Sequence, residues 1–234
     1  MKTPTSSIAD RVSGSEILRI LSENLMIDWK QYTALVAKRF SDGSLFPILV
    51  GVILSQNTND RNSIKAYMLL RERIGVKIED ILRASLEEIE ELIKPAGLWK
   101  QKAEAIKRSA EVIRDLGGEE FLAREDPEKI RMKLLEIKGV GKKTVDVFLS
   151  VARRAPYFAV DTHAMRIALR WGLVKRRNYD EASKALREYF GSDNAEKAHQ
   201  LLIALGRRYC RARKPLCSEC FLKSICPSSP YSYK

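Results

Sequence analysis

Apolar residues recur at every third or fourth position through most of this chain, the spacing that places them on one face of an α-helix. In the segment that starts at Ser15, for example, Ile17, Leu18, Leu21 and Leu25 follow this period. No segment alternates apolar and polar residues for long enough to predict a strand. The pattern therefore predicts an all-α protein without internal repeats or a long low-complexity segment.

Helix-capping signals divide this pattern into separate helices. We expect Ser85 and Glu88 to form a capping box, Asp126 to cap a helix that begins at Pro127, and Ser44 to cap a helix from Leu45. The remaining helices are predicted at residues 15–25, 29–40, 61–75, 77–84, 100–116, 142–154, 162–171, 179–190 and 195–209. Residues 1–13 are polar, and we expect them to be disordered.

The run from Leu45 to Leu54 is apolar on all sides, which predicts a helix buried at the centre of a domain. Asp42-Gly43-Ser44 interrupts the chain just before this run, so we place the first domain boundary between residues 41 and 42. A membrane-spanning helix needs ~20 apolar residues, and this run, the longest in the chain, is about half that length. We therefore expect no transmembrane helix.

Gly139-Val140-Gly141 separates two helical patterns, an arrangement that predicts a helix-hairpin-helix motif. The second helix begins at Lys142, and its first amides can bind a phosphate oxygen. Lys143 lies in this first turn, where the helix dipole and the charge of Lys142 disfavour an ammonium and so favour the neutral amine of a nucleophile. The alternative for Lys143 is a solvated lysine at a basic helix start.

Asp161 and His163 stand in the segment Val160-Asp161-Thr162-His163, just before the next helical pattern. By position alone, Asp161 is simplest to interpret as a helix N-cap. His163 could either orient Asp161 or serve only at the start of that helix.

The formal net charge is +12, which favours a polyanionic partner such as nucleic acid or an anionic membrane. The N-terminus has no apolar signal core, so we expect a cytoplasmic location. All four cysteines lie in the last 25 residues, spaced C-x6-C-x2-C-x5-C at Cys210, Cys217, Cys220 and Cys226. Without an export signal, metal binding is a better interpretation than disulfides, and the spacing alone leaves zinc and a [4Fe–4S] cluster both open.

The segment G-V-G-K-K-T at residues 139–144, followed by V-D-T-H at residues 160–163, resembles the endonuclease III family of helix-hairpin-helix base-excision DNA glycosylases. In that family the catalytic lysine directly precedes a threonine and the catalytic aspartate lies in V-D-T-H. The resemblance therefore implies that Lys143 and Asp161 are catalytic. It also implies DNA contacts for the residues around them, namely Gly139, Val140, Gly141, Lys142, Thr144 and His163.

A nucleotide-binding P-loop is the main rival interpretation of this segment. That motif needs a glycine directly before its Lys-Ser/Thr pair and a strand upstream. Here Lys142 occupies the glycine position and a helical pattern precedes it, so the sequence argues against a P-loop.

The polar segment after the apolar run, Ser55-Gln56-Asn57-Thr58-Asn59-Asp60, extends the resemblance, although plain helix capping would also explain it. The family has a glutamine and an aspartate in a similar segment that enters the DNA and lines the lesion pocket. Counting from Asp60 places Asn57 at the family's glutamine and Gln56 one residue early, so the register favours Asn57. Leu98, in A-G-L-W-K-Q-K-A, matches a leucine that the family inserts as a wedge into the base stack. The alternative interpretation of Leu98 is a core residue on a loop.

The cysteine spacing also matches the cluster loop of that family, which implies a [4Fe–4S] cluster on all four cysteines. The resemblance implies two helical domains: a six-helix barrel at residues 42–154, and a cluster domain in which residues 1–41 join residues 155–234. The active site would be the cleft between them. Arg211, Arg213, Lys214 and Lys223 surround the cysteines and would bind phosphates, which suits a structural, DNA-contacting cluster.

The function implied by the resemblance is that of a bifunctional DNA glycosylase and AP lyase. Such an enzyme excises oxidised pyrimidines from double-stranded DNA and cleaves the abasic strand by β-elimination through a lysine Schiff base; we expect it to act as a monomer. Two alternatives stay open. One is a monofunctional mismatch glycosylase of the same fold, although those relatives lack a lysine at the position of Lys143, and the other is a non-catalytic DNA-binding protein.

Overall fold

A computed structural model of the chain describes residues 6–232, and all of the regular structure in this range is helical. The all-α prediction is confirmed. The α-helices of the described range are α1 Gly14–Asn24, α2 Thr33–Arg39, α3 Phe46–Leu54, α4 Asp60–Arg73, α5 Ile78–Arg83, α6 Leu86–Ile93, α7 Trp99–Asp115, α8 Glu119–Arg124, α9 Pro127–Leu135, α10 Lys142–Arg153, α11 Thr162–Arg170, α12 Tyr179–Phe190 and α13 Ala195–Arg208. Within residues 6–232, no helix has both the length and the apolar character needed to cross a membrane.

The chain divides into two compact units. Asp28–Ala155 forms the first, which we call the hairpin unit; it contains α2 to α10 and so has helices beyond the six of the expected barrel. The described parts of Met1–Ile27 and Pro156–Lys234 form the second, which we call the cysteine unit. The N-terminal segment thus joins the C-terminal one, but residues 28–41 lie in the hairpin unit, which moves the first boundary earlier than the sequence predicted.

Packing between α2 and α3 explains the shifted boundary. Val36 and Ala37 of α2 are buried, and a Cβ on Gly51 of α3 would lie 2.6 Å from the Cβ of Ala37. Asp42 and Gly43 both have positive φ angles, 50° and 85°, so they form a tight turn between two helices that pack together. A turn of this kind looks like a linker in sequence, although it lies inside one unit.

Residues 6–13 have a defined structure, although the sequence predicted disorder for residues 1–13. Residues 1–5 lie outside the described range. Ile8 is fully buried, and its amide donates a hydrogen bond to the carbonyl of Trp171 at 2.8 Å. Ser7 caps the short helical turn Ile8–Asp10 with its side chain. A single buried isoleucine therefore anchors a segment whose overall composition is polar.

Helix α3 is the buried central helix that its sequence predicts, since all nine of its residues are buried. Its N-terminus is capped differently from the prediction. The N-cap position is Leu45, and the carboxylate of Glu119, in α8, accepts hydrogen bonds from the amides of Leu45 at 2.8 Å and Phe46 at 2.9 Å. A distant carboxylate thus takes the role that the sequence assigned to Ser44.

Three aromatic side chains lie in the core of the cysteine unit. Phe158 and Phe190 stack with ring centroids 6.0 Å apart, and Trp171 is packed against Phe190 at 6.3 Å. These side chains join α11, α12 and α13 into one hydrophobic cluster that also includes Ile17 and Leu21 of α1. The cluster fixes the start of α11, where Asp161 lies.

Candidate functional site

The turn between α9 and α10 is built on two glycines. Gly139 has a φ angle of 91°, and a Cβ at this position would lie 3.1 Å from the Cβ of Ala105. Gly141 is the N-cap of α10 and has no side chain to accept from the first amides of the helix. The first backbone bond of α10 runs from Val145 to Gly141, so the first turn of this helix faces the hairpin with its amide end. The predicted helix-hairpin-helix is therefore present.

The residues that follow the hairpin differ in exposure. Lys142 is exposed and Lys143 is half-buried, so both are accessible at the start of α10. Val140 and Thr144 are each only 4% exposed. The latter two therefore support the hairpin from inside, whereas the glycines and lysines form its outer surface.

Gln56 connects the segment after α3 to this hairpin. Its Nε2 donates to the carbonyl of Gly139 at 3.0 Å and to Oγ1 of Thr144 at 2.9 Å. The contact partners therefore lie on both sides of the turn and directly beside Lys143. The neighbouring Asn57 is exposed and has a φ angle of 50°, a conformation that asparagine tolerates better than most residues.

Leu98 is an apolar side chain presented to solvent. It is 48% exposed and has a φ angle of 50°, and it follows Gly97, which has a φ angle of 66°. A left-handed conformation costs a non-glycine residue roughly 1–2 kcal/mol. The surrounding structure must therefore hold this exposed leucine in place.

Asp60, predicted to line a lesion pocket, is the first residue of α4. Its Oδ1 accepts hydrogen bonds from the amide of Thr33 at 3.2 Å and from Oγ1 of Thr33 at 3.0 Å. The hydroxyl of Thr33 also lies 2.7 Å from that of Ser63. These contacts connect the start of α2 to the start of α4, so Asp60 holds the base of the segment that carries Gln56 and Asn57.

Asp161 is the N-cap of α11, as its position in the sequence suggests. Its Oδ1 accepts from the amide of Ala164 at 2.7 Å, and the residue is half-buried. Nδ1 of His163 lies 2.9 Å from Nη2 of Arg166, which must be the donor because an arginine cannot accept. Burial lowers the pKa of His163, and the nearby Asp161 partly opposes this shift.

The four cysteines line one cavity, together with apolar side chains and Arg170. The guanidinium of Arg170 donates to Sγ of Cys210 at 3.0 Å, and Nε of Arg166 donates to the carbonyl of the same cysteine at 2.8 Å. Burial raises the pKa of Cys226 to about 11 and also raises the pKa values of Cys217 and Cys220. Bound iron would supply the positive charge that stabilises all four thiolates.

The donor set therefore suits a cluster. The four sulfurs surround a shared, mostly apolar cavity. Four thiolates are the usual ligands of a [4Fe–4S] cluster. Arg166 and Arg170 of α11, which the sequence interpretation did not single out, connect the helix that Asp161 caps to the first cysteine.

Comparison with known families matches two parts of the chain. The family described as HhH-GPD superfamily base excision DNA repair protein matches residues 50–192. The iron-sulfur binding domain of endonuclease III matches residues 210–226, a range that begins and ends at a cysteine.

Individual relatives match over most of their length. Endonuclease III of Sulfolobus acidocaldarius is 36% identical over 185 residues, which cover 78% of this chain and 82% of that protein. Endonuclease III of Thermotoga maritima is 34% identical over 195 residues, which cover 82% of this chain and 88% of that protein. A solved endonuclease III–DNA complex, trapped as a covalent intermediate, is 30% identical with a TM-score of 0.69, covering 87% of this chain and 97% of that one.

Proposed function

Because this chain belongs to the endonuclease III family of HhH-GPD base excision DNA repair proteins, we propose that it is a bifunctional DNA glycosylase and AP lyase. Its substrates are oxidised pyrimidines in duplex DNA and the abasic sites left after their removal. The observation that carries this proposal is the accessible Lys143 in the first turn of the helix after a glycine hairpin, in a chain similar to an endonuclease III that was trapped in covalent linkage to DNA.

DNA binding follows from the hairpin. The first amides of α10 and the exposed Lys142 together favour a phosphate oxygen of the DNA backbone. Such contacts do not depend on base sequence and weaken as salt concentration rises. They would place the sugar of a damaged nucleotide near the adjacent Lys143.

The reaction begins when the base leaves the stack, because C1′ of the sugar is not accessible to a side chain inside a duplex. The amine of Lys143 attacks C1′ and loses a proton, and the bond between C1′ and the base nitrogen breaks with its electron pair on the base, which takes up a proton. We propose that the carboxylate of Asp161 stabilises the positive charge that develops on the sugar or accepts the proton lost by the amine.

Strand cleavage uses the same covalent linkage. Opening of the sugar ring gives an imine between Lys143 and C1′. Loss of a proton from C2′ then expels the 3′ phosphate, which breaks the strand, and water hydrolyses the imine to release the enzyme. The lysine is regenerated at the end of the cycle.

The gap left by the extruded base must be filled, and we propose Asn57 and Leu98 for this role. Both are exposed, and both have a left-handed backbone with a φ angle of 50°. Gln56 is a weaker candidate because its amide is already bonded to Gly139 and Thr144. We assign it instead to holding the hairpin.

The [4Fe–4S] cluster would be held by Cys210, Cys217, Cys220 and Cys226. A bound cluster would hold the segment that follows α13 against the rest of the cysteine loop. Arg170 would donate to a cluster thiolate through the contact it makes with Cys210. The exposed basic residues of the loop, such as Arg213 and Lys223, then remain on its surface to bind phosphates.

Trapping with borohydride tests this proposal. Wild-type protein incubated with abasic-site DNA and borohydride should form a covalent adduct, because the reagent reduces the imine. Lys143→Gln should form none, and Asp161→Asn should bind the same DNA but lose most of its turnover. A wild-type protein that binds DNA without trapping would instead be a monofunctional glycosylase, if it releases bases, or a non-catalytic binding protein, if it does not.

We also propose that the protein acts as a monomer on chromosomal DNA. The chemistry above uses residues of one chain only, and the net charge of +12 favours a nucleic-acid partner. Light scattering in the presence and absence of a short lesion duplex would test the stoichiometry, and a 2:1 complex would contradict it.

A further inference from the structure

Lys102 is a buried lysine that the chemistry above does not use. It lies on α7 and is only 2% exposed, on the same face as the buried Ala105, Ile106 and Ser109. Burial lowers its pKa to about 8. Burying an amine costs free energy unless its protons are bonded, so its hydrogen-bond partners determine what it does.

The partners of Lys102 are two backbone carbonyls from different segments. Nζ donates to the carbonyl of Leu54 at 2.8 Å and to the carbonyl of Ala96 at 2.8 Å. Leu54 ends α3, three residues before Asn57, and Ala96 stands two residues before Leu98. One amine therefore bridges the bases of the two segments that carry the proposed gap-filling residues.

Both segments have a strained backbone beyond this bridge. Asn57 and Leu98 each have a φ angle of 50°. Such conformations persist only where the surrounding structure holds them, and they are common in segments that meet a ligand. The bridge by Lys102 is a specific contact that holds both segments at once.

We propose that Lys102 is a positioning residue that fixes the segments of Asn57 and Leu98 relative to each other, so that both side chains enter the DNA stack together. Lys102 itself contacts neither side chain through these bonds and need not touch DNA. This inference rests on the proposed function, because it assumes that the enzyme opens a duplex.

Lys107 provides a matched control on the same helix. Its Nζ also donates to backbone carbonyls, those of Ile81, Leu82 and Ala84, at 2.9, 2.8 and 2.6 Å. These carbonyls lie at the end of α5 and not at either gap-filling segment. Lys107→Met therefore removes the same kind of interaction and leaves the bridge intact.

The test compares Lys102→Met with Lys107→Met on two substrates. One is a duplex with a paired oxidised pyrimidine, and the other is single-stranded abasic DNA, which has no stack to open or fill. Misplacing groups by about 1 Å can lower a rate ~100-fold, so we expect single-turnover excision by Lys102→Met to fall at least ~10-fold on the duplex. Borohydride trapping of Lys102→Met on the single strand should change less than about twofold. For Lys107→Met, both duplex excision and single-strand trapping should change less than about twofold.

A double-mutant cycle separates this role from general destabilisation. If Lys102 acts through the two segments, adding Lys102→Met to the Asn57→Ala/Leu98→Ala protein should cause little further loss on the duplex, because the side chains it positions are gone. Should Lys102→Met not fold, Lys102→Gln keeps a shorter donor and should give a smaller loss confined to the duplex.

Two outcomes would overturn the inference. In the first, Lys102→Met excises from the duplex as fast as Lys107→Met. In the second, Lys102→Met lowers the excision rate of the Asn57→Ala/Leu98→Ala protein by the same factor as that of the wild type. A wild-type enzyme that fails to trap on abasic DNA would instead refute the proposed function, so the two failures are distinguishable.

Discussion

The hydrogen bonds between Gln56 and the hairpin predict that Gln56 and Asn57 have different roles in the reaction. Gln56→Leu removes the donor that bonds the carbonyl of Gly139 and the hydroxyl of Thr144, while it keeps a side chain of similar volume. Asn57→Ala removes only an exposed side chain. The two neighbouring changes should therefore affect different steps of the reaction.

The size of the Gln56 effect follows from its two hydrogen bonds. Each contributes a net ~0.5–1.5 kcal/mol, and because Gln56 is half-buried, water can partly replace the lost donor, so we expect a loss of about 1–2 kcal/mol of stability. In a protein of this size, that corresponds to a lowering of Tm by roughly 2–8 °C. Lys143 directly precedes Thr144, so the looser hairpin should also misplace the nucleophile.

The rate of trapping on single-stranded abasic DNA measures how well Lys143 is positioned, because that substrate needs Lys143 but no gap-filling residue. Gln56→Leu should slow trapping by about tenfold, whereas Asn57→Ala should trap at the wild-type rate and lose activity only on paired duplex. The reasoning is refuted if Gln56→Leu traps normally while Asn57→Ala does not.

Three further changes test other contacts. Glu119→Ala removes the distant cap of α3 and should cost about 1–2 kcal/mol in urea unfolding, whereas Ser44→Ala should cost far less. Asp146→Ala breaks an ion pair, 2.8 Å long, between the buried Asp146 and the partly exposed Arg131, and should cost about 2 kcal/mol, less than a fully buried pair; an unchanged urea midpoint would contradict this. His163 has a lowered pKa, so the unfolded state takes up its proton first as pH falls, and stability should decrease with acidification below about 6.5. His163→Gln should flatten that part of the stability profile, and an unchanged profile would contradict the assignment.

Local hydrogen bonds explain why much of the fold could be predicted. The capping box of Ser85 and Glu88 and the cap by Asp126 are present, and in each the partners lie within three residues. The glycine hairpin and the cysteine spacing are equally local, and the family and cluster predicted from them are confirmed. Chemistry between near neighbours in sequence depends little on how the rest of the chain packs.

The burial of Lys102 could be predicted from the sequence, but its hydrogen-bond partners could not. Lys102, Ala105, Ile106 and Ser109 follow the helical period, so the sequence places a lysine on an apolar face of α7. That position indicates burial, but it does not indicate a partner. Backbone carbonyls carry no sequence signature, so only packing decides which one an amine reaches.

The sequence by itself determined most of the helices, although not α8, together with the hairpin and the four-cysteine ligand set, because these depend on residue type and short spacing. The choice of Lys143 as the candidate nucleophile came from the family resemblance. The tertiary structure alone decided that Glu119 caps α3, that Gln56 holds the hairpin, and that Lys102 bridges two segments 42 residues apart, from Leu54 to Ala96. These contacts join residues distant in the chain, and their geometry exists only after the hydrophobic faces of the helices have packed together.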